Sequence, residues 1–242
     1  MGDRYLTDLA DVLRRAGLTV IELDGWPYRA RGSGGFDAGR PTYVMVHHTA
    51  SPPSSSGEND AWYCAEGDED APLSNLCLDR DGAWWVLAGG ATNTNGKGGP
   101  VQGVPADSMN TYAIGIEANG GYGEPWPAAQ TDSYLSGVRA LCDAYGIEHV
   151  LAHFEWAPTR KVDPAGVSPW SGDSSSWDMD AFRRDLEQMG GTDVALSDDD
   201  LARIADAVWA KLVDMETEGA PDRPAWWLLR QTKVNVDKLA EP

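Results

Sequence analysis

The sequence lacks any long hydrophobic run. No apolar stretch reaches about 18 residues, the length that crosses a bilayer as a helix. The first four residues, MGDR, carry an acid where a secretory signal would have a basic patch before an apolar core. These absences argue against membrane insertion and against a Sec-type export signal. We therefore expect a soluble protein that is synthesised in the cytoplasm.

Positive charge is also scarce. The 19 Lys and Arg residues are outnumbered by 38 Asp and Glu residues, which gives a formal net charge of −19. The phosphates of nucleic acids and the headgroups of anionic membranes would repel such a chain. We therefore exclude nucleic acid as a partner and interpret the acidity as a source of solubility.

Cysteine is rare and forms no motif. The three residues, Cys64, Cys77 and Cys142, include no CxxC pair. An odd count without an export signal predicts reduced thiols. Cys142 lies on the apolar side of a helical pattern and is expected in the core, whereas a bridge between Cys64 and Cys77 stays open as an alternative.

Helical and strand patterns follow one another along residues 1–190 and predict an α/β domain. The predicted helices cover 4–16, 131–145 and 178–189, and the predicted strands cover 43–47, 75–79, 83–87 and 112–117. The segment 149–153 is either a further strand or a helical turn that offers two histidines to one metal. We favour the strand because Gly146 has just ended a helix and few residues remain before Pro158.

Two of the four histidines, His47 and His153, end predicted strands. The carboxyl ends of strands are where α/β proteins build their sites. A hydrolytic zinc needs three protein ligands and one open position, and Asp163 could complete a set with these two histidines. Since successive strand side chains face opposite ways, His47 and His48 cannot both reach one ion. The apolar residues before them do not decide which one does.

Two further residues have the chemistry of a hydrolytic site. Lys161 stands two positions before Asp163, so an extended loop would place both side chains on the same side, and the ammonium could stabilise a developing oxyanion. Glu117 ends an apolar strand, where burial would raise its pKa and suit it to take a proton from water and pass it to a leaving amine. The alternative for Glu117 is an edge residue in solvent or a partner of an arginine.

Four segments, taken together in their order and spacing, resemble a known family. They are YVMVHHTAS at 43–51, DG at 81–82, IGIE at 114–117 and HFEWAPTRKVDP at 153–164. The set is similar to the zinc-dependent N-acetylmuramoyl-L-alanine amidases, which include phage lysozyme-like amidases and peptidoglycan recognition proteins. The resemblance covers residues 40–166, about half of the chain.

The resemblance implies a fold, a cofactor and a reaction. The fold would be a mixed central β-sheet flanked by helices, with Zn²⁺ in a surface groove. The ligands would be His47, the first histidine of the pair, with His153 and Asp163, and the catalytic residues would be Glu117 and Lys161. The substrate would be bacterial peptidoglycan, cut at the amide between the lactyl group of N-acetylmuramic acid and L-alanine of the stem peptide.

The sequence departs from the family pattern at two places. Ser74-Asn75 stands where many members have Tyr-His, and Thr94-Asn95-Gly96 stands where many have a histidine before glycine. We expect Asn75 and Asn93 to take over contacts with the substrate. Trp156, three residues after a predicted ligand, is expected to line the groove.

We expect the biological role of a phage endolysin, made in the host cytoplasm and acting on the cell wall after a separate membrane lesion. Three alternatives stay open: a cytoplasmic amidase that recycles muropeptides, a non-catalytic peptidoglycan-binding module, and a zinc endopeptidase.

The predicted boundaries are a catalytic domain at 1–190 and a small helical appendage at 192–242. The appendage has a capping pattern at 197–200, an apolar helical stripe and a Trp226-Trp227 pair. The stripe comprises Leu201, Ile204, Ala205, Val208, Leu212 and Met215. This pattern suits wall attachment or self-association, and equally a helix pair that packs on the first domain.

Overall fold

A six-stranded sheet organises the part of the chain that the computed structural model describes, which is residues 4–37, 39–121, 123–171 and 175–190. The strands are β1 (Val20–Glu22), β2 (Tyr43–His48), β3 (Leu76–Leu78), β4 (Trp84–Val86), β5 (Ala113–Ala118) and β6 (His149–Ala152). The helices are α1 (Leu9–Arg15), α2 (Gly57–Trp62), α3 (Ala128–Tyr145), α4 (His153–Trp156) and α5 (Met179–Gly190).

The strand order is β1-β4-β3-β5-β2-β6. All neighbouring strands are parallel except β3 and β4, which form an antiparallel pair. The predicted α/β fold with a mixed sheet flanked by helices is therefore confirmed. Because β2, β5 and β6 run in parallel, their carboxyl ends meet at one edge of the sheet.

Side chains alternate between the two faces of this sheet. On one face, which we call the helix face, Val44 and Val46 of β2 join the main core with residues of α1, α3 and α5. On the other face, which we call the groove face, Tyr43 and Met45 pack in a second cluster with Trp156. Loops cover much of the groove face, and His47 follows on that face.

The predicted helices differ from the observed ones mainly at their starts. The first helix begins at Leu9 rather than at residue 4, because Arg4 exchanges backbone hydrogen bonds with Phe36. Helix α3 begins at Ala128, three residues before the predicted start, directly after Pro127. Its end is as predicted, because Gly146 adopts the left-handed conformation with a φ of 64°.

The segment that follows α3 is a strand, as favoured. Strand β6 pairs in parallel with β2 over residues 149–152, and helix α4 starts at His153. The alternative helical turn with two histidines is wrong, because His149 lies at the opposite end of the strand and stacks on Tyr43 at 4.8 Å between ring centroids.

Three elements were not predicted, β1, α2 and the short helix α4. Helix α2 is short, begins at the Ser56 cap and continues as a π-helical turn at Tyr63–Gly67. All three cysteines are buried free thiols, so the suggested Cys64–Cys77 bridge is not formed.

Among the described residues, no helix is long and apolar enough to cross a membrane. The predicted appendage at 192–242, with its apolar stripe and Trp226-Trp227 pair, lies outside the described residues.

Candidate metal centre

The ends of β2 and β5 place two ionisable side chains together on the groove face. His47 and Glu117 are register partners on these strands, so their side chains point to the same side of the sheet. Nδ1 of His47 lies 4.0 Å from Oε1 of Glu117. The next residue, His48, points elsewhere, and its Nδ1 accepts a hydrogen bond from the backbone N–H of Ala165 at 3.1 Å.

The third side chain, that of His153, comes from the start of α4. The carboxylate of Glu155 accepts a hydrogen bond from the backbone N–H of Ala152 at 2.8 Å and pairs with Arg183 at 3.0 Å, which fixes the turn that carries His153. The backbone N–H of Phe154 donates to the carbonyl of Asp163 at 3.1 Å. This contact brings the two ends of the 153–163 loop together.

His47, His153 and Asp163 converge on one point. The Nδ1 atoms of the two histidines are 2.9 Å apart. Oδ2 of Asp163 lies 3.1 Å from Nδ1 of His47 and 3.0 Å from Nδ1 of His153. All three side chains are buried. In a tetrahedral zinc site with bonds of about 2.0–2.1 Å, ligand atoms lie about 3.3 Å apart. The observed triangle is close to that size, so the three residues could hold a metal ion.

The protonation states in this cluster also suit a cation. Burial, together with the neighbouring His47, lowers the pKa of His153 to about 4, so this imidazole is neutral at pH 7. Burial alone would raise the pKa of Asp163, but hydrogen bonds to His153 and His47 outweigh it and hold that pKa well below its usual range. A neutral imidazole and an ionised carboxylate are the forms that bind metals.

Glu117 and Lys161 flank this cluster in a surface groove. Burial, reinforced by the negative charge of Asp163, raises the pKa of Glu117 well above its ordinary value, and the charge of Lys161 opposes the rise. The groove has a volume of about 490 Å³, and its wall includes Glu117, Lys161, Asp163 and Tyr63. A second lobe of about 250 Å³ shares Glu117 and Lys161 and extends to Asn93.

Of the three residues predicted to contact the substrate, one lines the groove and two are buried. Asn93 lines the second lobe of the groove. Asn75 is fully buried, and its amide nitrogen donates to the carbonyls of Ala88 and Gly90 at 2.9 and 2.7 Å. Trp156 is also fully buried and packs in the second cluster of the groove face. The positions of Asn75 and Trp156 support packing roles and do not support contact with a substrate.

Tyr134 and Asn95 contact the histidines but were not singled out in the sequence. The hydroxyl of Tyr134, on α3, lies 3.0 Å from both the backbone nitrogen and the backbone oxygen of His47. Asn95 contacts the imidazoles of both His47 and His153. Asn95 could have been found from its position, where many amidases of this type have a histidine, whereas no sequence signal pointed to Tyr134.

Sequence comparison places this geometry in a family. The family model described as N-acetylmuramoyl-L-alanine amidase matches residues 37–166, just over half of the chain. The chain therefore belongs to the N-acetylmuramoyl-L-alanine amidase family, and the resemblance seen in the motifs is confirmed. The 1,6-anhydro-N-acetylmuramyl-L-alanine amidase AmpD of Enterobacter cloacae is 26% identical over 156 residues, 54% of this chain and 78% of the relative.

Solved structures of similar proteins include the endolysin N-acetylmuramoyl-L-alanine amidase LysCS from Clostridium intestinale. It is 16% identical, with a TM-score of 0.46 over 70% of this chain and 95% of that chain. A selenomethionine derivative of AmpD is 22% identical, with a TM-score of 0.46 over 69% and 93%. These scores are low, and the family assignment rests on the sequence match.

Proposed function

We propose that this amidase hydrolyses peptidoglycan at the amide between N-acetylmuramic acid and L-alanine, with Zn²⁺ held by His47, His153 and Asp163. The observation that carries the proposal is the convergence of the three ligand atoms, 2.9–3.1 Å apart, beside Glu117 in a surface groove. Two imidazole nitrogens and one carboxylate oxygen are a set typical of catalytic zinc, which keeps a fourth position for water or substrate. When bound, Zn²⁺ polarises the scissile carbonyl and makes water a nucleophile near neutral pH.

In this proposal Glu117 moves the proton. Its carboxylate takes a proton from the attacking water and delivers it to the nitrogen of the leaving L-alanine. The raised pKa supports this role, because it makes the ionised carboxylate a stronger base towards water. Its Oε2 is buried and has no hydrogen-bond partner within the described residues, which leaves that oxygen available to the reactants.

Lys161 stabilises the negative charge that develops on the scissile carbonyl oxygen. It lines both lobes of the groove together with Glu117, so its ammonium can face the reacting amide. The whole chain carries a net charge of −19, which repels anions at long range. The ammonium of Lys161 provides a local positive charge in the groove that attracts the carboxylates of a stem peptide.

The biological role that we propose is that of a phage endolysin acting on the polymeric cell wall. The rim of the groove supports a large substrate, because Tyr63 lines it with 49% of its surface exposed and the neighbouring Trp62 is 56% exposed. Exposed aromatic side chains beside a groove are typical of binding surfaces. Muropeptide recycling is the second candidate, and the similarity to AmpD favours it.

The test is product analysis with a ligand variant. Purified wild type and Asp163→Ala are incubated with Zn²⁺ and intact murein, the turbidity is followed, and the products are identified by mass spectrometry. We expect the wild type to clear the suspension and release stem peptides that begin with L-alanine, while Asp163→Ala binds little metal and hydrolyses no more than a blank.

Each rival predicts another result. Unchanged lysis by Asp163→Ala would contradict the metal mechanism. Binding of murein by the wild type without any product would favour the non-catalytic module. Cleaved crosslinks would identify an endopeptidase, and activity on soluble muropeptides alone would favour recycling.

We also propose the domain division at residues 190–192, with the appendage at 192–242 attaching the enzyme to the wall or associating with a second copy. The support is the sequence pattern alone. Light scattering during size-exclusion chromatography, on the full chain and on a chain that ends at residue 190, measures self-association. A murein pull-down of the same two proteins measures wall attachment.

A further inference from the structure

Asn95 lies behind the two histidine ligands, on the side away from Asp163. Its side-chain Oδ1 is 3.2 Å from Nε2 of His47, and its backbone oxygen is 2.9 Å from Nε2 of His153. One residue thus contacts the outer nitrogen of both imidazoles, while their inner Nδ1 atoms meet at the metal position.

These contacts favour one position for the imidazole protons. A backbone carbonyl and an amide oxygen only accept hydrogen bonds, so Asn95 favours the proton on Nε2 of both His153 and His47. The guanidinium of Arg160 lies farther from Nε2 of His153, at 3.4 Å, and donates to the carbonyl of Asn95 at 3.0 Å. A neutral imidazole with its proton on Nε2 has its lone pair on Nδ1. With an ion bound, both lone pairs would point at it, and the ion would replace the hydrogen bonds between the imidazoles and the carboxylate of Asp163.

Asn95 is itself held in place. Its backbone N–H donates to Oδ1 of Asn110 at 2.7 Å, and its carbonyl accepts a further hydrogen bond from Arg160 at 3.0 Å. Its amide nitrogen, in contrast, is buried without a hydrogen-bond partner in the described part of the chain. Only the accepting half of this side chain is used.

We propose that Asn95 is a positioning residue that fixes both histidine ligands in the Nε2–H form and so orients them for the metal. The inference rests on the proposed zinc site and not on the identity of the bond that is cut. Hydrogen-bond acceptors behind histidine ligands typically change metal affinity by about 10–100-fold when they are removed. Because the amide nitrogen is unpaired, an aspartate at this position keeps the needed acceptor.

The experiment compares Asn95→Leu, Asn95→Asp and the wild type. Zn²⁺ affinity is measured by competition with a chromophoric chelator, and the imidazole N–H groups of the zinc-loaded protein are observed by ¹H–¹⁵N NMR. We expect Asn95→Leu to bind Zn²⁺ about 10–100-fold more weakly. Its His47 Nε2–H signal should broaden by exchange with water, while the His153 signal stays because the backbone acceptor is retained. Asn95→Asp should restore the affinity to within about threefold of wild type.

Gln130→Leu is the matched control. Gln130 is another buried amide, which donates to the carbonyls of Leu78 and Asn119 at 3.2 and 2.9 Å and leaves its own oxygen unpaired within the described residues. This substitution should lower the thermal stability and leave both the Zn²⁺ affinity and the imidazole signals unchanged.

Three results would overturn the inference: wild-type Zn²⁺ affinity in Asn95→Leu, an Asn95→Asp variant as weak as Asn95→Leu, or a wild type that binds no Zn²⁺. If Asn95→Leu does not fold, Asn95→Ala removes the same acceptor without a branched side chain and replaces it in the comparison. Peptidoglycan hydrolysis is assayed separately, so a wild type that binds Zn²⁺ and cuts nothing counts against the proposed function alone.

Discussion

Residues that alternate along β2 meet opposite environments on the two faces of the sheet. Val44 and Val46 face an apolar core sealed by three helices, whereas Met45 is followed on the groove face by His47 and its ionisable neighbours. The helix face gains free energy by excluding water from apolar surface. The groove face keeps charged and polar groups partly desolvated, which costs stability but shifts their pKa values and orients them for chemistry. The same strands thus carry stability on one side and reactivity on the other.

The largest effect should come from the groove face. We expect Glu117→Gln to lower the rate of peptidoglycan hydrolysis about 10²–10⁴-fold, the usual loss for a general acid–base group. Because burial raises the pKa of Glu117, its ionised form is disfavoured in the fold, and the neutral glutamine should raise the melting temperature at pH 7. Rates from product mass spectrometry and thermal unfolding of the same samples check both parts. A variant that is less stable than wild type would contradict this division of roles.

A truncation on the helix face should lower the stability and leave the activity of the folded protein unchanged. Leu13 of α1 is fully buried in the main core, and Leu13→Ala should cost about 2–5 kcal/mol of unfolding free energy. Its turnover per folded molecule and its Zn²⁺ affinity should match the wild type, since no groove residue is touched. Urea denaturation and activity below the unfolding transition measure the two quantities. A large loss of turnover in the folded protein would show that the two faces are not independent.

The groove face should also set the acid sensitivity of the metal-free protein. The pKa of His153 is about 4 in the fold, below its ordinary value of 6.5, so the unfolded chain binds more protons between these values. Stability is therefore lost as the pH falls, by about 2 kcal/mol between pH 7 and pH 5 from this residue. His48, whose pKa is also lowered by burial, adds in the same direction, whereas Glu117, whose pKa is raised by burial, contributes in the opposite direction. Urea denaturation with a chelator at both pH values measures the loss.

Two variants show which histidine causes the loss of stability between pH 7 and pH 5. His153→Asn should reduce the difference between pH 7 and pH 5, whereas His149→Asn, at the far end of the same strand, should retain it. An unchanged pH dependence in His153→Asn would mean that another group is responsible.

The smallest effect concerns a contact that crosses from the helix face to a proposed metal ligand. Tyr134→Phe removes the hydroxyl that lies 3.0 Å from the backbone nitrogen and oxygen of His47. We expect a loss of about 1 kcal/mol in unfolding free energy and a weaker Zn²⁺ affinity. Tyr145→Phe, on the same helix, loses only a surface hydrogen bond to Asp8 and should leave the affinity unchanged. Equal effects from both variants would show that the hydroxyl of Tyr134 does not position His47.

The sequence predicted five of the six strands, all but β1, and the motif residues, because both depend on local patterns. An apolar run followed by a histidine and turn residues identifies β2 wherever it lies in the fold. The same run could not tell which histidine of the pair faces the groove, because Tyr43 to Val46 are all apolar and both faces are buried. The choice depends on which helices cover which face, which is tertiary information.

The errors and omissions have the same origin. We expected Asn75 to contact the substrate because it stands where many family members have Tyr-His, but its side chain donates to the backbone carbonyls of Ala88 and Gly90. Asn95 and Tyr134 reach His47 from 48 and 87 residues away along the chain. No local pattern reports contacts at such separations. Helix α2 was missed because its short sequence, GENDAW, has little apolar periodicity.

Strand β6 has a consequence for the order in which the protein opens. It is the last strand at one edge of the sheet and is bonded to β2 alone among the strands. His47 is on β2 and His153 directly follows β6, so an ion bound to both joins the edge strand to its neighbour. Edge elements are commonly the first to open in local unfolding. In the zinc-loaded protein, removal of the ion should therefore speed amide hydrogen exchange along 149–153 before it does so in β5, and the ion would stabilise the edge of the sheet as well as take part in the proposed reaction.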